Sequence, residues 1–201
     1  MRIELHAALC LALALVAPPG EGSEDQLAAR LASQTCALCH GPDGNSISAQ
    51  FPKLAGQSAA YLEAQLKAFR AHTRADPPAQ AYMWGMASQL DDETISRLAA
   101  YFAARPARPV QSTAPSETQG RLIYESGLPD QDIPACVSCH GDPSRAGGNV
   151  ARLSGQHPEY LVRQLSYFKA RLRTSDAVML QVCSKLTVEQ INAVASYAAS
   201  H

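Results

Sequence analysis

The feature that constrains this chain most is a Cys-x-x-Cys-His motif that occurs twice. Residues 36–46 read CALCHGPDGNS and residues 136–142 read CVSCHGD, so the two motifs lie 100 positions apart. Each motif places two thiols close together and an imidazole directly after the second thiol. Any interpretation of this chain must therefore explain why both thiol pairs are followed by a histidine.

Each motif begins one copy of a longer repeat. The segment KLAGQSAAYLEAQLKAF from Lys53 matches RLSGQHPEYLVRQLSYF from Arg152, and the segment from Met83 matches the one from Met179. The offset between the copies falls from 100 to 99 to 96, which indicates small deletions in the second copy. A period this long indicates a duplicated domain rather than a solenoid of short units.

Composition divides the chain into four parts. An apolar run, AALCLALALVA, follows Arg2 and is shorter than the ~20 residues that span a bilayer, so it predicts a cleaved signal peptide over 1–22. The proline-containing stretch PARPVQSTAPSE predicts a linker over 106–118. The remaining parts, 23–105 and 119–201, are predicted domains, and each is small enough to need a metal or cofactor for stability.

The composition favours helices over sheet. Alanine is abundant, β-branched residues are sparse, and aromatic residues make up only 6% of the chain. The patterns predict helices over 25–33, 59–71 and 92–103, with Ser58 and Asp91 as N-caps of the second and third.

The second copy carries its own helix signals. Thr187 and Gln190 form a capping-box pattern at the start of the last helix. Pro158 suits the first turn of the preceding helix, which places His157 just outside that turn. No segment alternates as a strand does, so the sequence predicts an all-α fold.

In an exported chain, Cys-x-x-Cys-His is the attachment motif of c-type haem. Each thiol adds to one vinyl group of the porphyrin, and the adjacent imidazole binds the iron. The predicted attachment residues are Cys36, Cys39, Cys136 and Cys139, and the predicted iron ligands beside them are His40 and His140. The chain is therefore predicted to hold two covalently bound haem c groups.

Two other roles for the cysteines are weaker. The pairs are compatible with disulfides in an oxidising compartment, and four cysteines are compatible with zinc. The gap between the pairs, however, far exceeds the ~15–20 residues usual between the pairs of a zinc site. Neither role requires a histidine after each pair. The fifth cysteine of the mature chain, Cys183, is predicted to be a small buried hydrophobe, with pairing to another chain as the alternative.

The repeat also predicts the sixth iron ligands. Met83 and Met179 occupy matched positions, each seven residues before a leucine that precedes the last helix of its copy. Met86 competes with Met83 but has no counterpart, since Val182 stands at its place. A thioether ligand favours ferrous iron and closes the iron to oxygen and peroxide, which suits electron transfer rather than catalysis.

Several residues near these ligands have two candidate roles. The carbonyls of Pro52 and Ala151 are candidates to accept a hydrogen bond from the axial histidines. Lys53 and Arg152 are either partners of haem propionates or solvated surface charges. Trp84 is predicted either to pack on the porphyrin or to shield its edge. Tyr61, Tyr160, Gln57 and Gln156 either bond near the haem edge or pack between helices, and His72, His157 and His201 are predicted at the surface.

The chain resembles the dihaem cytochrome c4 family over its whole mature length. The resemblance rests on CALCHGPDGNS, FPKLAGQ, YLEAQL, MWGM and LAAYFA in the first copy and on CVSCHG, LSGQ, YLVRQL and VASYAAS in the second. It implies two tandem, mostly helical cytochrome c-like domains packed about a pseudo-twofold axis, with the haems near their contact. It also implies a periplasmic location, sometimes with loose membrane association, and delivery of electrons to terminal oxidases.

Three functions are consistent with these features. The leading one is a periplasmic one-electron carrier whose partners are redox proteins, such as a membrane oxidase, a reductase or a dehydrogenase. The alternative is a haem-bearing subunit of a dehydrogenase such as a flavocytochrome sulfide dehydrogenase. A dihaem peroxidase is less favoured because two methionine ligands leave no open iron position. The formal charge of -1 offers no basic face for nucleic acid, and no integral membrane span is predicted.

Overall fold

A computed structural model describes residues 21–110, 117–141 and 148–201. The first half, 21–110, contains α1 (Glu21–Leu31), α2 (Ala37–His40), α3 (Ala59–Arg70), α4 (Trp84–Ala87) and α5 (Asp92–Ala103). The second half, 117–201, contains α6 (Glu117–Ser126), α7 (Val137–His140), α8 (Pro158–Lys169), α9 (Ala177–Lys185) and α10 (Val188–Ser200). Extended pairing in the described residues is limited to an isolated bridge between Leu128 and Ile133. The predicted all-α fold is confirmed.

The helix that leads into the first motif differs from its prediction over 25–33. It starts at Glu21 and continues to His40, because a π-helical turn, Ala32–Cys36, joins α1 to α2. A second π-helical turn, Ala79–Met83, leads into α4. Such turns add a residue to a helical repeat and often occur at functional sites. Both of them end on a residue that was predicted to hold haem.

The predicted helix caps are confirmed. The side chain of Ser58 accepts a hydrogen bond from the N–H of Tyr61, and Asp91 accepts one from Thr94 at 2.7 Å. These bonds satisfy N–H groups that the first turn of a helix leaves without intrahelical partners.

The helix-start signals predicted for the second half are also confirmed. Thr187 and Gln190 form the reciprocal capping box at the start of α10. Pro158 opens α8, and His157 is its N-cap residue. Sequence signals that act within one turn are therefore reliable in both halves.

The core of the first half lies where α1 and α3 pack against α5. Two small residues, Ala28 of α1 and Ala32 at the start of the π-helical turn, are buried in one cluster with Leu98 and Phe102 of α5. Leu62 of α3 is buried in the same cluster. The small side chains let the helices approach closely, which leaves the larger side chains to line one side of the half.

The second half packs α10 against α6 and α8. At Gly120 the two helices α6 and α10 approach so closely that a Cβ atom would lie 2.3 Å from the carbonyl oxygen of Ala193. Ile123, Ile191 and Val194 are buried around this crossing. A glycine is therefore required for the packing of α6 on α10.

The first residues of the predicted linker lie against the first half. Asn45 donates to the carbonyl of Pro106 at 3.0 Å and accepts from the N–H of Arg108 at 2.9 Å. The predicted signal peptide lies almost wholly outside the described residues, as do 111–116 of the linker. The domain boundaries stay predictions. Within the described residues, no helix has both the length and the apolar character that a membrane crossing requires.

Candidate functional site

One cavity of about 470 Å³ lies between the two halves and is lined by both. All eight residues that were predicted to hold haem line this cavity: Cys36, Cys39, His40, Met83, Cys136, Cys139, His140 and Met179. The fold therefore brings two residue sets that are far apart in sequence to one cavity.

The two motif histidines are held in the same way. The ring nitrogen Nδ1 of His40 lies 2.8 Å from the carbonyl oxygen of Pro52, and Nδ1 of His140 lies 2.8 Å from that of Ala151. Both predicted acceptors are confirmed. Because Nδ1 donates to a carbonyl, the unprotonated nitrogen of each ring is Nε2, the atom that is then available to a metal.

Burial prepares both rings for this role. His40 is only 7% exposed, and burial lowers the pKa of His40 against the opposing effect of the Pro52 carbonyl. Burial also lowers the pKa of His140. A lowered pKa keeps each imidazole neutral, which is the form that binds iron.

The walls around the histidines are apolar. In the first half they are formed by Leu62, Leu66, Phe69, Leu98 and Phe102, and in the second by Leu161, Leu165, Phe168, Val194 and Ala195. A porphyrin face is apolar, so its burial against such walls is favourable. The residues present fit a haem in each half.

The methionines line the cavity from different elements. Met83 ends the second π-helical turn and packs against the buried Phe69 and Ala87. Met179 lies in the first turn of α9, where its N–H donates to Asp176 at 3.0 Å. Met86 also lines the cavity, but it is 55% exposed. Packing therefore favours Met83 over Met86 as the ligand of the first half.

The described cysteines are thiols rather than disulfides, as Cys36, Cys39, Cys136, Cys139 and Cys183 are all unpaired. Among the described residues, no group of three His, Cys, Asp or Glu side chains is placed to hold a metal ion such as zinc. Both alternatives for the motif cysteines thus lack structural support.

Burial affects the more enclosed thiols of the polypeptide without haem. It raises the pKa of the free Cys36 thiol, and it raises the pKa of the free Cys136 thiol to about 11. Cys183 is fully buried, as predicted, and burial raises its pKa to about 12. Cys183 thus packs as an uncharged small side chain.

Two buried arginines that the sequence analysis did not single out bridge the halves. Arg74 donates to Gln65 Oε1 at 2.8 Å and to Gln164 Oε1 at 3.0 Å. Arg173 donates to Gln164 Oε1 at 2.7 Å and to Gln65 Oε1 at 3.0 Å. Both glutamines recur in the repeat, and the arginines follow the same 99-residue offset, which is the signal that identifies them.

The repeated tyrosines join this cluster. Arg74 lies 3.3 Å from the hydroxyl of Tyr160, and Arg173 lies 3.3 Å from that of Tyr61. Burial alone would raise the pKa of Tyr61, but the charges of Arg173 and Arg74 outweigh it and lower that pKa. The tyrosines therefore take part in contacts between the halves.

The structure corrects the surface predictions for Arg152 and His157. Arg152 is not a solvated surface charge, because its guanidinium donates to the carbonyls of Gly56 at 2.9 Å and Ala55 at 2.7 Å. His157 is not a simple surface residue, since its Nε2 lies 2.9 Å from the carbonyl of Ser46 in the other half. Both contacts form only when the halves meet, which a local pattern does not reveal.

The prediction for Trp84 is also corrected. Its ring stacks on His72 with centroids 4.0 Å apart, and its Nε1 donates to the carbonyl of Arg74 at 2.8 Å. Trp84 thus holds the backbone of Arg74, a member of the arginine cluster. The neighbouring Met83, and not Trp84, lines the cavity.

Comparison with known proteins agrees with this geometry. Residues 26–104 match the family model for cytochrome c. The chain is 39% identical over 183 residues to cytochrome c-552 of Acidithiobacillus ferridurans, covering 89% of this chain and 79% of that protein. It is 36% identical over 171 residues to cytochrome c4 of Thiocapsa roseopersicina, covering 83% of this chain and 86% of that protein.

A further relative carries a different name. The thiosulfate dehydrogenase electron acceptor of Stutzerimonas stutzeri is 33% identical over 201 residues, covering 96% of this chain and 91% of that protein. In a solved structure of thiosulfate dehydrogenase from Marichromatium purpuratum, the match has a TM-score of 0.75 at 33% identity, covering 88% of this chain and 40% of that one.

The fold of a solved cytochrome c4 matches both halves together. The structure from Acidithiobacillus ferrooxidans has a TM-score of 0.78 at 38% identity, and the match covers 84% of this chain and 99% of that one. The chain therefore belongs to the cytochrome c4 family, as an electron-transfer protein with two covalently bound haem c groups in two tandem cytochrome c-like domains.

Proposed function

We propose that this protein carries single electrons between redox proteins in the periplasm, toward a terminal oxidase. The proposed attachment residues are Cys36 and Cys39 for one haem and Cys136 and Cys139 for the other; the proposed axial pairs are His40 with Met83 and His140 with Met179. The observation that carries the assignment is the placement of two carbonyl-anchored histidines in one cavity with both methionines. The periplasmic location rests on the predicted signal peptide over 1–22.

The residues of the chain set the conditions for electron transfer. Bound haem iron supplies the one-electron change between ferric and ferrous states. His40 and His140 are fixed by backbone carbonyls, so little motion accompanies a change of charge. The soft thioethers of Met83 and Met179 favour the reduced state. The apolar walls exclude water.

A single cavity for both sites supports exchange between the two irons inside the molecule. Residues of each half line it, and the arginine cluster of Arg74 and Arg173 closes the contact between the halves. An electron received at one half then has a path to the other half without a second partner. This favours a carrier that docks its donor and its acceptor at different faces.

A second candidate function is the electron-accepting component of a dehydrogenase. The relative named thiosulfate dehydrogenase electron acceptor and the matched thiosulfate dehydrogenase structure favour a thiosulfate-oxidising partner over the flavocytochrome considered from the sequence. Reduction of the purified protein by a thiosulfate dehydrogenase and thiosulfate, at a rate that exceeds reduction by a respiratory donor, would support it.

Redox-monitored spectroscopy of the holoprotein tests the proposal. Wild-type protein is expected to show two low-spin, six-coordinate haems that are reduced in one-electron steps. Met83→Ala and Met179→Ala should each convert one haem to high spin and lower its reduction potential by on the order of 100 mV, within the ~0.8 V range that axial ligands span. Met86→Ala is the matched control and should change neither haem. If neither ligand variant alters a spectrum, the ligand assignment is wrong.

A further inference from the structure

The peptide unit between Pro52 and Lys53 is hydrogen-bonded at both of its polar atoms. Its carbonyl oxygen lies 2.8 Å from His40 Nδ1, and its N–H donates to Oε1 of Gln156 at 2.9 Å. The carbonyl and the N–H belong to one resonant amide group. The ring of His40 is therefore linked through a single peptide to a side chain of the other half.

The second half repeats this arrangement in the opposite direction. The carbonyl of Ala151 lies 2.8 Å from His140 Nδ1, and the N–H of Arg152 donates to Oε1 of Gln57 at 2.7 Å. The two linkages are reciprocal. Each half supplies the glutamine that completes the histidine anchor of the other.

Both glutamine amides are buried and fully oriented. Gln57 and Gln156 are each 5% exposed. Their Nε2 groups donate back to the carbonyls of Arg152 at 3.0 Å and Lys53 at 2.9 Å. A reversed amide would place a donor against the anchor N–H and an acceptor against the carbonyl, so the acceptor oxygen must face the anchor N–H.

The turn before each glutamine is fixed by a glycine. Gly56 and Gly155 have φ angles of +64° and +76°, which disfavour residues with a side chain. The N–H of Gly56 donates to Phe102 at 3.0 Å, and that of Gly155 donates to Ala199 at 2.7 Å. Each glutamine is thus positioned by the last helix of its own half and acts on the peptide of the other half.

Hydrogen bonds at the two ends of an amide strengthen each other. Donation from the N–H to Gln Oε1 increases the negative charge on the carbonyl oxygen, which makes the carbonyl a better acceptor for the histidine N–H. A stronger bond at Nδ1 makes the ring a more basic ligand, and a more basic ligand favours ferric iron.

We propose that Gln156 and Gln57 are positioning residues that act across the boundary between the halves, each lowering the reduction potential of the haem in the opposite half. This inference rests on the proposed function, because it requires His40 and His140 to be iron ligands. It makes the two redox centres interdependent through hydrogen bonds, so a loss of contact between the halves raises both potentials.

The test uses holoprotein labelled with ¹⁵N-histidine and the variants Gln156→Met and Gln57→Met. The Nδ1–H signals of His40 and His140 are followed by NMR during a redox titration, and each is assigned through its contact with the anchor carbonyl residue. Gln156→Met should move the His40 signal upfield and increase the equilibrium constant for reduction of that haem about threefold. That is a rise of about 28 mV at 59 mV per tenfold. Gln57→Met should do the same at His140.

A matched control removes a different bond between the halves. His157→Leu deletes the bond to the Ser46 carbonyl without touching either anchor peptide, so both histidine signals and both potentials should stay unchanged. Gln156→Glu keeps an acceptor for the Lys53 N–H and should hold the His40 signal in place or move it downfield, which tests the mechanism should the methionine variant not fold.

The outcomes separate this inference from the proposed function. Wild-type protein that lacks two low-spin haems would reject the proposed function itself. If both haems are present, a crosswise shift supports the inference. A shift confined to the half that carries the substitution, an equal shift in both halves, or no shift would overturn it.

Discussion

The two halves agree where they anchor the histidines and differ where they present the methionines. His40 and His140 bond to carbonyls at the same distance, 2.8 Å. Met83 ends a π-helical turn, Ala79–Met83, whereas Met179 lies in a regular helix, α9. The two halves thus share the same histidine geometry. Their methionines, in contrast, lie on backbones of different conformation.

The halves also differ in how they neutralise a buried cation. In the first half, Nε of Arg74 lies 2.9 Å from Asp76, and both side chains are buried. In the second, Nε of Arg173 lacks a hydrogen-bond partner in the described part of the chain. The same guanidinium position is therefore an ion pair with Asp76 in one half, whereas among the described residues the other guanidinium is held by uncharged partners, Gln164, Gln65 and Tyr61.

The largest expected effect comes from removing one haem attachment. Cys36→Ala combined with Cys39→Ala should leave one haem per chain and unfold the helices of the first half, because a half of this size lacks the apolar core to fold alone. Haem quantitation and limited proteolysis would check this. Cys136→Ala with Cys139→Ala should produce the mirror result. Two haems retained in either double variant would contradict the assignment.

A smaller effect is expected at the arginine cluster. Asp76→Asn should lower the free energy of unfolding by about 3–5 kcal/mol, because it leaves the buried Arg74 charge without its partner. Denaturant unfolding of the holoprotein, followed by circular dichroism, would measure it.

The matched change in the other half is Arg173→Met. This variant should lower the free energy of unfolding less, by about 1–2 kcal/mol, since removing the buried guanidinium itself offsets the loss of its hydrogen bonds to Gln164, Gln65 and Tyr61. Equal losses for Asp76→Asn and Arg173→Met would mean that the two cations are equivalent.

The smallest expected effect is a pH dependence at the boundary. Burial lowers the pKa of His157 below its ordinary value of 6.5; Lys53 and Arg163 act in the same direction, and the Ser46 carbonyl and Glu159 oppose them. The folded protein therefore favours the neutral ring, so this stabilisation is present above pH 6.5 and is lost as the pH falls below it.

Thermal unfolding at about pH 7.5 and about pH 5.5 would reveal the contribution of His157 to stability, because both values lie within the range where histidine titrates. Wild-type protein should lose more stability between them than His157→Gln does, since glutamine does not titrate. An identical loss in both proteins would show that His157 does not contribute.

Local features of the fold follow from the sequence with little error. The caps at Ser58, Asp91 and Thr187 and the carbonyls of Pro52 and Ala151 all depend on short-range geometry, and all are found as predicted. The internal repeat added the matched positions of the ligands. These signals suffice because each depends on a few neighbouring residues or on a fixed offset.

Contacts across the boundary do not follow in the same way. The bonds of Gln57, Gln156, Arg74 and Arg173 depend on how two folded halves dock, and the sequence records only that these residues recur. Trp84 was missed for a different reason, because its stacking partner His72 lies in the same half and has no matched counterpart in the repeat.

The central claim is best tested by the intact mass of the mature protein under denaturing conditions, which remove every group that is not covalently bound. The account predicts the mass of the processed polypeptide plus two haems, one on each Cys-x-x-Cys pair. A bare polypeptide, or one that carries a single haem, would contradict it.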